Sequence, residues 1–170
     1  MAIVPDPTPA FATDLATGGY YEQRAAEYDE WYLGQGRFAR RDRPGWDRAV
    51  EDLVALVRRL SPARTLDVAC GTGFLTRHLR GFVVGVDQSR SMVALAQSRL
   101  PDGVAVVGDA LDLRFAKGAF DRVFTAHFYG HLPPVEALPL GCHARRGGRL
   151  RGAARRRLVR RCTHFVVTSL

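Results

Sequence analysis

The sequence predicts an α/β fold built on a parallel sheet, and three observations carry that prediction. Short apolar runs at 65–69, 82–86, 104–107 and 120–126 alternate with helical patterns or glycine-containing loops. Three aspartates, Asp67, Asp87 and Asp109, stand near the ends of the first three runs, spaced by about one strand–helix unit. Glycines cluster in the turn after the first run, Cys70-Gly71-Thr72-Gly73. Composition agrees: of 170 residues, 46% are hydrophobic and 25% charged, the balance of one globular domain. No apolar run approaches the roughly 18 residues of a membrane helix. The opening MAIVPDPTPAFA has no basic segment, so neither a signal nor a transit peptide is expected and the location reads as cytoplasmic. Three cysteines, Cys70, Cys142 and Cys162, form no Cys-x-x-Cys pair, which argues against a zinc site and a disulfide framework.

Each element has its own justification. Residues 1–18 read as a flexible Pro-rich arm. From Gly19 to Arg41, Tyr21, Ala25, Tyr28 and Tyr32 recur at helical spacing and give one aromatic face, interrupted at Gly34 and Gly36. Trp46 to Leu60 carries the stripe Val50, Leu53, Val54 and Val57, stopped by Ser61-Pro62. These segments make a helical cap over 19–60. Strand 65–69 leads through the glycine turn into a helix expected over Phe74–Leu79. Strand 82–86 precedes a helix capped by Ser89 or Ser91 that runs through Met92, Leu95, Ala96 and Arg99 to Pro101. Strands 104–107 and 120–126 follow. Right-handed crossovers then join neighbouring parallel strands.

Ligands of such sheets bind beyond the carboxyl ends of the strands. Gly71 and Gly73 let backbone approach a ligand closely. Asp87 ends the second strand, where a carboxylate accepts hydrogen bonds from both hydroxyls of a ribose. A dinucleotide fingerprint wants a third Gly or Ala where Thr76 stands, and Asp67 ahead of the turn repels a pyrophosphate. Asp67 suits a cationic ligand instead, and Asp109 suits the amino group of an adenine. A ligand with a ribose, an adenine and a positively charged amino-acid end fits all three acids.

The runs LDVACGTGFLT (66–76), GVDQSRSM (85–92), GDALDLRF (108–115) and FDRVF (120–124) resemble, in order and spacing, the motifs of class I S-adenosylmethionine-dependent methyltransferases, in their small-molecule, type 11-like branch. Residues 20–32 are similar to the family's N-terminal cap. Ala69 stands where the family has its first glycine. The resemblance implies a Rossmann-like three-layer sandwich with a mainly parallel sheet in the order 3-2-1-4. Phe165–Leu170 can add a fifth strand, and the sheet is incomplete at its C-terminal end. It implies methyl transfer to an unidentified small-molecule acceptor, S-adenosylmethionine as cofactor, S-adenosylhomocysteine as product, and no metal. Asp67 and Gly71 then hold the methionine end, with Ala69 and Gly73 of the same turn among the cofactor-binding residues, Asp87 binds the ribose, and Gln88, Met92, Asp109 and Ala110 border the adenine. Ala126 lies near the methyl group, and Tyr20, Tyr21 and Tyr28 close over the pocket, where aromatic faces attract a sulfonium. His127 and His131 flank Tyr129 just past the fourth strand and are the candidate general bases.

The net charge of +8 is unevenly spread. Residues 1–136 hold 17 acidic and 16 basic side chains, whereas residues 137–170 hold nine arginines and no acid. Basicity therefore belongs to the tail and does not argue for nucleic-acid binding by the body. The methyltransferase domain is expected over 19–136. The Arg-rich tail is read as a truncated or out-of-frame end, weakly packed over 137–162, in a poorly soluble protein. Two rival functions follow: a cofactor-binding protein impaired in turnover, and nucleic-acid binding through the tail. No membrane partner is expected.

Overall fold

The structure is a computed structural model that describes residues 15–40, 42–110, 112–128 and 165–169. Residues 137–162, for which weak packing is expected, lie outside that set, as do His131 and Tyr129. Four strands, β1 (Thr65–Val68), β2 (Val83–Asp87), β3 (Val104–Val107) and β4 (Arg122–Ala126), form a parallel sheet. A fifth, β5 (Phe165–Ser169), joins it in the order β3-β2-β1-β4-β5. β5 runs antiparallel to β4, from Arg122 opposite Ser169 to Ala126 opposite Phe165. Central β1 is buried at all four positions, as a strand covered on both faces must be.

Ahead of the sheet come α1 (Leu15–Arg24), α2 (Glu30–Leu33) and α3 (Trp46–Arg58). α1 begins inside the segment expected to be a flexible arm. The aromatic face is not one helix: a 3₁₀ turn at Ala25–Glu27 separates α1 from α2, and Gly34 ends α2 in the left-handed conformation at φ 63°. α3 buries Val50, Leu53 and Val57, the stripe legible in the sequence. With Tyr32, Phe74, Leu75, Leu79, Val83 and Phe124 these side chains form the core on one face of the sheet. Leu66, Val68 and Val86 face the other side, where Ala110, Leu113, Phe120 and Phe128 pack against them.

The helix expected over Phe74–Leu79 is a single 3₁₀ turn, Thr76–His78. Reach explains the difference. Nine residues, 74–82, must bring the chain back along the length of β2, roughly 17 Å at 3.3 Å per residue. Nine α-helical residues advance only about 14 Å, whereas a 3₁₀ turn followed by extended backbone covers the span. The next crossover has more chain and holds a true helix, α4 (Arg90–Ser98). Of the two candidate caps Ser89 is used: its Oγ accepts from the Met92 amide at 3.1 Å.

Candidate functional site

The site forms where β1 and β2 end side by side. Beyond β1 the chain takes three left-handed residues in alternation, Ala69 (φ 59°), Gly71 (φ 55°) and Gly73 (φ 77°). The two glycines do different work. A side chain at Gly71 meets only the Tyr28 ring, 3.8 Å away, so this position opens toward the pocket. A Cβ at Gly73 sits 3.0 Å from Ala96 Cα, so this glycine lets α4 pack on the turn. Gly73 thus has a packing role within the turn.

Asp87 ties the two strand ends together. Its Oδ2 accepts from the Gly71 amide at 2.9 Å and its Oδ1 from the Ser89 amide at 3.0 Å. Burial raises its pKa, opposed by backbone N–H groups of Ser89, Gly71 and Gln88. Asp67 lies deeper, fully buried, with Oδ2 accepting from the Thr76 hydroxyl at 2.6 Å. Burial pushes the Asp67 carboxyl up to about 8, against the pull of Thr76 and with the Asp87 charge adding to the rise. Burial of Asp67 in the ligand-free site thus favours its neutral form. Burial likewise raises the Cys70 thiol, an inert packing group.

The cap lies directly on this turn. Tyr28 covers Gly71, Tyr21 meets Tyr28 edge-on at 5.9 Å, and Tyr32 stacks on Phe74 at 4.2 Å. Burial raises the Tyr28 phenol and takes that of Tyr21 to about 12, with the Asp87 charge contributing to both. What remains beneath is a cavity of about 30 Å³ lined by Tyr28, Asp67, Ala69, Gly71, Thr76 and Ala126, among others. That is room for water, whereas pockets for drug-sized ligands run from about 300 to 1,000 Å³.

Asp67, Ala69, Gly71, Tyr28 and Ala126 thus converge on one cavity. Asp87 and Gln88 border the turn, half-buried. Met92 is a fully buried residue of α4, Ala110 packs against the sheet, and Asp109 is half-buried beyond β3. Tyr20 does not close the pocket: it is 52% exposed, edge-on to Tyr21 and beneath the Arg24 guanidinium. His127 follows β4 at φ 61°, its ring edge-on to Trp31 and Tyr32. Among the described residues no group of three or more His, Cys, Asp or Glu is placed to hold a metal ion.

Sequence reasoning missed two acids. Glu22 accepts from the Ser89 hydroxyl at 2.6 Å and from the Ser91 hydroxyl at 2.5 Å and amide at 3.2 Å. The two hydroxyls hold its carboxyl down at about 2. Asp29 accepts from the Thr72 hydroxyl and pairs with Arg99 at 2.7 Å, while Arg99 also donates to the Thr72 carbonyl at 2.9 Å. A signal was present: Tyr21-Glu22 recurs as Tyr28-Asp29 seven residues later.

Residues 66–144 match the model of a methyltransferase domain. Over 132 residues the chain is 41% identical to a dTDP-3-amino-3,6-dideoxy-alpha-D-glucopyranose N,N-dimethyltransferase of Streptomyces fradiae, covering 71% of this chain and 48% of the relative. A dTDP-3-amino-3,4,6-trideoxy-alpha-D-glucopyranose N,N-dimethyltransferase of Streptomyces venezuelae is 34% identical over 126 residues, 70% of this chain and 49% of its own. The chain spans about half the length of these curated relatives. Among solved structures, a DhpI-SAM-HEP complex superposes with a TM-score of 0.57 and 28% identity, covering 74% of this chain and 56% of that one. Magnesium protoporphyrin IX methyltransferase of Synechocystis PCC 6803, with bound SAM, shares the fold at TM-score 0.55 and 22% identity, over 75% of this chain and 67% of its own. With the strand order, the glycine turn and the acids that bracket it, these likenesses show that residues 66–144 belong to a methyltransferase domain.

Proposed function

We propose that this protein binds S-adenosylmethionine at the ends of β1 and β2 and transfers its methyl group to a small-molecule acceptor. The observation that carries the reading is Asp87, a carboxylate at the end of β2 with both oxygens against the glycine turn and α4. The residues present fit the group. Gly71 leaves open space that only the Tyr28 ring fills, and the Asp87 carboxylate, which accepts from the backbone N–H groups of Gly71, Ser89 and Gln88, keeps acceptor capacity for a ribose hydroxyl. Gln88, Met92, Asp109 and Ala110 would border the adenine. When bound, the cofactor supplies an activated methyl group, with no metal required.

The chain's own residues do the rest. Burial favours the neutral form of Asp67 and an approaching ammonium the ionised form, so uptake of the methionine end draws a proton from it. Tyr28 and Tyr32 exclude water from the cavity. His127, next to pocket-lining Ala126, takes the proton of the attacking acceptor, with His131 as the second candidate. Orientation of acceptor and methyl in line supplies much of the acceleration. An amine on a nucleotide-linked sugar is the first acceptor class to test, since the two Streptomyces relatives carry such names. No described helix is long and apolar enough to cross a membrane. A cytoplasmic site of action belongs to this proposal, and the unpaired, buried Cys70 is in keeping with it.

Titration calorimetry tests the reading. S-adenosylhomocysteine is expected to bind, NAD is not, and the heat near pH 7 depends on the buffer because Asp67 loses a proton. Asp87→Ala weakens binding more than tenfold, a loss of about 1.5–3 kcal/mol for bonds to a charged acceptor, and Asp87→Asn keeps part of it. NAD binding without S-adenosylhomocysteine binding refutes the proposal.

A further inference from the structure

The cap is held to the sheet in two chemically different ways. Its C-terminal half is anchored by apolar packing: Tyr32 stacks on Phe74, the Trp46 indole donates to the Tyr32 carbonyl at 3.0 Å, and α3 fills the core. Its N-terminal half, where Ala25 is buried and Tyr28 packs against the core, is tied down in addition by two carboxylates. Glu22, from α1, grips Ser89 and Ser91 at the start of α4. Asp29, seven residues later, grips Thr72 of the glycine turn and Arg99 at the far end of α4. Tyr28, immediately before Asp29, is thereby held over Gly71, leaving the cavity of about 30 Å³ beneath it.

Tyr28 occupies the open side of Gly71, where the cofactor reading puts the methionine end, so this ring has to move for that end to reach the turn. Moving the apolar anchor exposes core side chains. Releasing the carboxylates exchanges hydrogen bonds for water at exposed Glu22 and part-buried Asp29 and frees Tyr28 while α3 stays packed, which is the easier motion. From this contrast we infer that Glu22 and Asp29 are positioning residues that act as a two-point latch: they hold Tyr28 over the glycine turn, and cofactor entry and exit wait on their release. The inference rests on the cofactor reading above. Neither residue touches the cavity; both act through Tyr28 and the loops they grip.

The chain carries its own reporter. Its two tryptophans, Trp31 and Trp46, both sit in the cap, with Trp31 edge-on to Trp46 at 4.8 Å and to His127 at 4.9 Å. Stopped-flow tryptophan fluorescence of the full chain mixed with S-adenosylhomocysteine compares the parent with Glu22→Ala, Asp29→Ala, Asp29→Asn and the double alanine variant. Association and dissociation rates are both expected to rise, about threefold or more in each single alanine variant and about tenfold in the double, with the dissociation constant moving less. Asp29→Asn keeps the Thr72 contact and falls between the parent and Asp29→Ala. Rates within twofold of the parent in the folded alanine variants overturn the latch, even if melting temperatures drop, since a purely structural role moves stability alone. If the parent does not bind S-adenosylhomocysteine, the cofactor reading fails by itself. Hydrogen exchange of residues 20–31 in the ligand-free chain then decides: faster exchange in the alanine variants supports the latch, and exchange equal to the parent's overturns it.

Discussion

At Asp67 a buried carboxyl has one hydroxyl to stabilise its charge, and burial wins. The unfolded chain ionises this group near 3.8 and the folded chain near 8. Between those values the unfolded state binds fewer protons, so the contribution of Asp67 to stability falls as pH rises, and it is flat outside that window. Its slope is at most about 1.4 kcal/mol per pH unit, that of one proton. Urea unfolding of the ligand-free chain at pH 5, 6.5 and 8 should therefore show a decline that Asp67→Asn, an isostere of the neutral acid, removes. Equal pH profiles for the two proteins reject the assignment. The position of Asp67 before the glycines was legible in the sequence. Its protonation was not, because Phe74, Tyr32 and Phe124, which close over the site, come from three separate segments. Ala69 is a second case: the sequence shows an Ala where the resembled family has Gly, and only the structure shows the left-handed backbone that makes the difference matter.

Strands were easier to read than helices, for a reason of chain length. A short apolar run bounded by turn residues leaves one conformation that buries it, and β1 and β3 match their runs to within a residue. The crossover between β1 and β2 follows a distance constraint that residue periodicity does not contain, so Phe74–Leu79 was misread. The glycine turn shows the same limit: two glycines with the same signature divide into an open position and a contact with α4. Gly73→Ala meets a left-handed backbone cost of about 1–2 kcal/mol and an overpacking cost of about 1–3 kcal/mol against Ala96. Gly71→Ala meets the backbone cost alone, because Tyr28 stands at ordinary contact distance. Denaturant midpoints should rank Gly73→Ala as the less stable by about 1 kcal/mol or more. The reverse order contradicts the division of labour.

Across the whole molecule the two ends of the sheet are finished differently. β5 pairs antiparallel with β4 at one end. At the other end β3 pairs only with β2 among the described strands, and its Val104, Val106 and Val107 are 41%, 37% and 49% exposed. A sheet edge that is both unpaired and apolar is a template for association with another chain. Charge does little to protect it: residues 1–136, which contain the edge, are nearly balanced in acidic and basic side chains, so copies of the body repel one another weakly. The expectation of poor solubility, drawn above from the Arg-rich tail, thus gains a second and structural ground. Val104 is the position to test, since it starts β3, opposite Val84 and at the far end from Asp87. A lysine there places a charge on the edge while leaving the ladder to β2 and the site intact. Val104→Lys should slow aggregation several-fold, followed by light scattering a few degrees below the melting transition. Stability should change by no more than about 0.5 kcal/mol, as for other exposed positions. If aggregation keeps the parent's rate, the β3 edge is not where copies of the chain meet, and the tail alone has to account for their association.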